Sequence, residues 1–207
     1  RLLSDGQTLS KVTDHLRCML GVRSIILPMC DDRVETRVLT PQGEIPFQEF
    51  FVKERWAREV ISVRFAGAEQ SQPAPGVIEA IFHADLIIVC PSNPVTSVGP
   101  ILTVPGIRAA LIESTATVVG VSPIIGAKAI SGPADKLLVA SGSAASALGV
   151  AQFYADFLDI LLIDDADQGW REPIESLGVR VVTTNIRMPD LGGKRRLARE
   201  LLALVRK

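Results

Sequence analysis

Apolar residues recur at helical spacing over residues 9–20, with Leu9, Val12, Leu16 and Leu20 on one face and Thr8 or Ser10 placed to cap the start. Two β-rich runs follow, at residues 24–27 and 34–39, and the turn signal Pro41-Gln42-Gly43 closes the second. Residues 46–56 are aromatic-rich and fit strand or helix equally well. Residues 60–65 alternate apolar with polar, the period of a strand. A Gln-, Pro- and Ala-rich loop at residues 70–76 ends this half without requiring a domain boundary.

From residue 77 onward the two periods alternate regularly. The pattern predicts helices over residues 77–83, 107–113, 133–138, 144–156, 173–177 and 191–206, and strands over 85–90, 117–121, 158–163 and 179–183. The run Asp-Leu-Ile-Ile-Val-Cys at 85–90 is continuously apolar, as in a strand covered on both faces. Pro133 suits the first turn of its helix. Strands alternating with helices through short links predict an open, mostly parallel α/β sheet. There is no internal repeat and no low-complexity tract.

Composition narrows this picture. The chain has 207 residues, 47% of them hydrophobic, enough for one substantial core. With 22% charged residues and a net charge of -1, nothing points to nucleic acid. Apolar stretches are broken by charge, Pro or Gly before membrane-span length, and no signal peptide is visible at the start. Cys18, Cys30 and Cys90 lack CxxC spacing; they are expected as buried small hydrophobes in a reducing cytoplasm. The chain opens on Arg1 and runs into Ser4-Asp5-Gly6, which suggests that an N-terminal part is absent.

Ligands of open α/β sheets bind beyond the carboxyl ends of the strands. After 85–90 comes Pro91-Ser92-Asn93-Pro94-Val95-Thr96-Ser97-Val98-Gly99. Two prolines stiffen this loop, Ser92, Asn93, Thr96 and Ser97 offer neutral donors, and Gly99 would permit close backbone approach. The following helix start would favour an anion. After 117–121 comes Ser122-Pro123 with Gly126 and Lys128, a second cradle with a movable charge. The first loop can also be read as an ordinary capped polar turn, and Lys128 as a solvated lysine. Asp164, Asp165 and Asp167 could bind a divalent cation or simply cap a helix. Glu35 and Arg37 share a strand face and suit an ion pair. Phe47, Phe50, Phe51 and Trp56 could line a slot for a flat ring or pack in the core. His15 and His83 have no partners at zinc-ligand spacing. Neither a Gly-x-Ser-x-Gly elbow nor a Walker A loop occurs.

The string Cys90-Pro91-Ser92-Asn93-Pro94-Val95-Thr96-Ser97-Val98-Gly99-Pro100-Ile101-Leu102, with Val104-Pro105-Gly106-Ile107-Arg108, resembles the signature of the 2-phospho-L-lactate transferase family. Further blocks match in order: Leu9-Ser10-Lys11-Val12-Thr13, Pro46 to Val52 with Trp56, Ser122 to Gly126 with Gly132-Pro133-Ala134-Asp135-Lys136, and Gly149-Val150-Ala151 with Tyr154 and Asp156. The tail after Asp165 is generic. The resemblance implies a Rossmann-like α/β domain with helices on both faces and an inserted α+β segment, here a single domain over 1–207 with 1–58 as an inserted subdomain.

It also implies an enzyme of coenzyme F-420 biosynthesis. Such an enzyme transfers a phospholactyl or phosphoenolpyruvyl group from a guanosine diphospho-conjugate to the deazaflavin precursor Fo, releases GMP and requires Mg2+. Ser92, Asn93, Thr96, Ser97, Gly99, Ser122, Gly126 and Lys128 would then bind the donor, and Phe47 and Phe51 would border the deazaflavin. The family's Gly-rich opening loop and Pro-Asp-Leu-Asp-type acidic motif do not occur here, so the main metal ligands are expected outside this chain. Asp32 and Glu49 are the available candidates for a catalytic base. A homodimer is left open. The rivals are a regulatory nucleotide-sugar-binding protein of the related gluconeogenesis-factor branch, whose loop carries Gly-Ser in place of Ser-Asn-Pro, and an inactive fragment serving as an interaction module.

Overall fold

In the computed structural model of the chain, residues 2–204 are described. Helix α1 (Leu9–Met19) begins where the Thr8 hydroxyl accepts the Lys11 amide at 3.5 Å. The Ser10 amide and hydroxyl both donate to the Asp31 carboxylate, at 2.6 and 2.8 Å, and so fasten the first turn. Of the four aligned apolar residues only Val12 is buried; Leu9, Leu16 and Leu20 stay exposed. Residues 24–27 form no strand.

Strands β1 (Glu35–Thr40), β2 (Gly43–Pro46) and β3 (Ser62–Ala66) build an antiparallel sheet with β1 in the middle. Register sets Arg37 directly opposite Arg64. Two like charges so placed would destabilise the pair. Glu44 of β2 resolves this by accepting from Arg37 Nε at 3.1 Å and Arg64 Nε at 2.6 Å. The Glu35–Arg37 pair is present at 3.5 Å. The aromatic run divides between the end of β2 and a π-helical turn, Glu49–Lys53, with Phe50 buried. This sheet continues to Ala66, beyond the boundary at residue 58 drawn from sequence.

Helix α2 (Val77–Phe82) leads into β4 (Leu86–Val89). Helices α3 (Gly99–Thr103) and α4 (Ile107–Glu113) cross to β5 (Thr117–Val121). A hairpin of β6 (Ile124–Ile125) and β7 (Lys128–Ala129) precedes α5 (Ala134–Ala140) and α6 (Ala147–Tyr154), which cross to β8 (Ile160–Ile163). Helix α7 (Arg171–Glu175) crosses to β9 (Arg180–Thr183), and α8 (Leu191–Ala203) follows. The expected helix end at residues 205–206 lies outside the described residues.

Strands β4, β5, β8 and β9 lie side by side in chain order, all parallel. Right-handed crossovers stepping one way along a sheet put their helices on one face. Accordingly Ile107 and Leu111 of α4, Val150 of α6 and Ile174 of α7 share one core with Val118, Leu161 and Ile163. Side chains alternate along a strand, so Val119, Val121, Ile160 and Leu162 face the other way and meet Leu197 and Leu201 of α8. Helices thus cover both faces. Each such fully buried aliphatic side chain contributes about 1.5–3 kcal/mol.

One strand departs from its expected setting. Strand β4 pairs only with β5 among the described residues, and Ile88 is 37% exposed. An unbroken apolar run marks a strand fit for burial, but it carries no information about how many neighbours the strand has.

Candidate functional site

The carboxyl end of β4 runs into Cys90-Pro91-Ser92-Asn93. Asn93 turns its side chain forward onto the following residues, where Oδ1 accepts from the Val95 amide at 3.0 Å and the Thr96 amide at 3.2 Å. This is a helix cap, and it fixes the start of a π-helical turn, Pro94–Val98. Pro94 at the first position needs no amide partner.

Beyond this turn lies a cavity of about 480 Å3. Ser92, Asn93, Thr96 and Ser97 form one wall, and Phe47 and Phe51 another. Pro123 and the segment 130–134 form a third; Ile186 and Met188 form the fourth. Phe51 stacks between Phe47, at 5.6 Å between centroids, and Trp56, at 5.0 Å. Among the described residues no charged side chain lines the cavity. An apolar cavity of about 530 Å3 along β4 shares Ser92 and Ser97 with it.

Six of the residues selected from sequence therefore converge on one cavity: Ser92, Asn93, Thr96, Ser97, Phe47 and Phe51. The others lie elsewhere. Ser122 is fully buried, and its hydroxyl donates to the Ile124 carbonyl at 2.9 Å while accepting the Ile124 amide at 3.1 Å. It shapes a turn. Gly99 is buried where an added Cβ would meet Phe65 Cζ at 2.9 Å and the Pro94 carbonyl oxygen at 3.2 Å, so its small size serves packing. Gly126 and Ala127 form the tip of the β6–β7 hairpin with φ of 57° and 64°. Lys128 is exposed on that hairpin, outside the cavity.

Neither candidate base reaches the cavity. Asp32 Oδ2 accepts the Gln72 amide at 3.0 Å. Glu49 is paired with Lys53 at 2.8 Å, and that bond holds its carboxyl below the usual range, which weakens it as a base. Asp164 caps the turn Asp165–Trp170 through the Ala166 amide at 3.2 Å. Asp167 is buried and accepts from the Gly126 amide. No group of three His, Cys, Asp or Glu side chains able to hold a metal occurs among the described residues. Of the cysteines only Cys30 is buried; Cys18 and Cys90 are exposed, contrary to expectation.

Sequence reasoning missed the fourth wall. Ile186 and Met188 sit just past the end of β9, where the strand-end rule points. They escaped because the tail carries apolar residues rather than recognisable chemistry.

The family model described as 2-phospho-L-lactate transferase CofD matches residues 2–187. The chain belongs to this family. A 2-phospho-L-lactate transferase of Methanococcoides burtonii is 40% identical over 98% of the chain and 66% of its own length. A phosphoenolpyruvate transferase of Streptomyces griseus is 46% identical over 99% of the chain and 66% of its length. A 2-phospho-L-lactate transferase of Methanothermobacter thermautotrophicus is 44% identical over 88% and 58%. The chain thus spans somewhat under two thirds of the length of these curated CofD relatives. The fold is also that of the Bacillus halodurans protein BH3568, with a TM-score of 0.69 at 18% identity over 97% of this chain and 69% of that one. Among the described residues of this CofD family member, no single helix is long and apolar enough to cross a membrane.

Proposed function

We propose that the chain carries one side of a transferase site that moves a phospholactyl or phosphoenolpyruvyl group from a guanosine diphospho-conjugate to a hydroxyl of Fo, releasing GMP. Family membership supports the reaction class. The observation that carries the site is the convergence of four neutral hydrogen-bonding residues and two stacked phenylalanines on one uncharged cavity.

Phe47, with the edge of Phe51 beside it, offers an aromatic surface to the flat deazaflavin ring. Ser92, Thr96 and Ser97 offer hydroxyls to the ribityl chain and to phosphoryl oxygens at the cavity mouth. In the reaction the acceptor hydroxyl oxygen bonds to phosphorus as the bond to the GMP oxygen breaks. Such chemistry depends on positioning and on stabilising charge. The neutral wall supplies the positioning. Lys128 lies outside the cavity lining. Among the described residues magnesium finds no carboxylate ligand in this lining.

The test is Fo binding, followed by absorbance, together with GMP release. Replacing Ser92 and Ser97 together by Ala removes two hydrogen bonds of about 1 kcal/mol each. That lowers kcat/KM by about thirtyfold. Unchanged kcat/KM would sink the assignment of this wall. Fo binding without turnover by the chain alone would mark it as a binding fragment, and absence of Fo binding would reject the acceptor assignment.

A further inference from the structure

Asp167 is a buried carboxylate, 3% exposed, that plays no part in the reaction proposed above. It lies past the end of β8, in the turn Asp165–Trp170. Its two oxygens share one donor, the Gly126 amide, at 3.0 and 3.2 Å. That amide sits 41 residues earlier in the chain, at the tip of the β6–β7 hairpin. Burial pushes the Asp167 carboxyl up and Asp164 adds to this, while the Gly126 amide draws it down. A carboxylate kept in so dry a place needs its hydrogen-bond partner.

The hairpin matters because both of its ends are cavity wall. Pro123 precedes β6, the segment 130–134 follows β7, and the Ile130 amide donates to the Pro123 carbonyl at 3.0 Å. Beyond the tip Lys128, Ile130 and Ser131 are exposed, and Ala129 is half-buried against the core. Among the described residues Asp167 is the only side chain recorded as bonding the segment 126–132. At its far end, Gly132 turns one Cα hydrogen toward Phe51, where an added Cβ would lie in van der Waals contact, 3.6 Å from the ring. Phe51 in turn stacks on Trp56 at 5.0 Å. A mechanical path thus runs from Asp167 through the hairpin to the aromatic wall.

We infer that Asp167 is a positioning residue: its carboxylate bolts the hairpin tip to the end of β8 and so sets the wall of the cavity against Phe51. The inference rests on the cavity being the substrate site, but half of its test does not. In a Trp170→Phe background Trp56 is the remaining tryptophan. There, Asp167→Ala raises acrylamide quenching of Trp56 and removes amide-exchange protection from residues 123–134, with the main sheet still protected. Asp167→Asn retains an acceptor oxygen for the Gly126 amide and restores both readings.

The second half uses Fo as the probe. Loss of the bolt weakens Fo binding by about tenfold in Asp167→Ala, the scale of one buried hydrogen bond. Asp167→Asn stays within about threefold of the parent. Quenching and exchange identical to the parent in Asp167→Ala would overturn the inference, whatever Fo does. Loosening of the hairpin with unchanged Fo affinity would overturn the link to the cavity. If the parent itself does not bind Fo, the acceptor reading fails, and the tryptophan and exchange measurements decide the positioning role alone. Should Asp167→Ala fail to fold, the Asn variant is read against Asp167→Ser, whose shorter side chain cannot span the gap; equal protection in both would overturn the bolt.

Discussion

Asn93 combines two roles that substitutions can separate. Its Oδ1 accepts two amides, from Val95 at 3.0 Å and Thr96 at 3.2 Å, and the same side chain lines the cavity. Asn93→Ala removes the cap, which costs about 0.5–2 kcal/mol. For a chain of this size each kcal/mol moves Tm by about 2–4 °C. A fall of roughly 1–8 °C is therefore expected in thermal unfolding. Asn93→Asp keeps a capping oxygen, and stability stays within about 0.5 kcal/mol. It also places a negative charge in a cavity with no charged lining residue among the described ones. A diphosphate oxygen about 5 Å away, at an effective dielectric constant near 20, meets a repulsion of about 3 kcal/mol. That weakens binding by about a hundredfold, and less at high salt.

The assay is paired titration of Asn93→Asp with a guanosine diphospho-conjugate and with Fo, which has no phosphate. The conjugate should lose about two orders of magnitude of affinity while Fo stays within about threefold. Equal losses for both ligands would point to a collapsed cavity. Full affinity for the conjugate would refute the placement of its phosphates at this wall.

Gly99→Ala would drive a methyl group into Phe65 and the Pro94 carbonyl; denaturant unfolding should show a loss of about 1–3 kcal/mol, recovered in part by Phe65→Leu. Glu44 bonds Arg64 and Arg37, which hold its carboxyl down from the usual 4.5 to about 2. A lowered folded-state value stabilises the fold above the unfolded value and loses that effect as pH falls through the folded one. Glu44→Gln should therefore lower Tm at pH 7, with the difference shrinking as pH falls toward 2 and vanishing below it, and a constant difference across that window would contradict the assignment.

How much of this was legible beforehand differs between the halves of the chain. In the second half, 107–113 and 117–121 match α4 and β5 residue for residue. There period, length and turn residues all agree, and propensity meets no tertiary opposition. In the first half the helical spacing of Leu9, Val12, Leu16 and Leu20 located α1 but not its surroundings, since three of the four are exposed. The site was legible where polar residues cluster after β4. It was hidden where the wall is Ile186 and Met188, because an apolar residue looks the same in a core and in a cavity.

The sequence by itself determined the alternating α/β pattern, the strand-end loop with its neutral donors, and the family resemblance carried by that loop. Those features are local: they depend on period, on capping chemistry and on residue order. Only the tertiary structure decided that β4 pairs with β5 alone among the described residues, that Ser122 shapes a turn and Gly99 makes room for Phe65 while Lys128 stays outside the cavity, and that Asp167 bonds a hairpin 41 residues away. Each of these turns on which segments meet in space. Such meetings are set by burial summed over the whole core, and no local pattern encodes them.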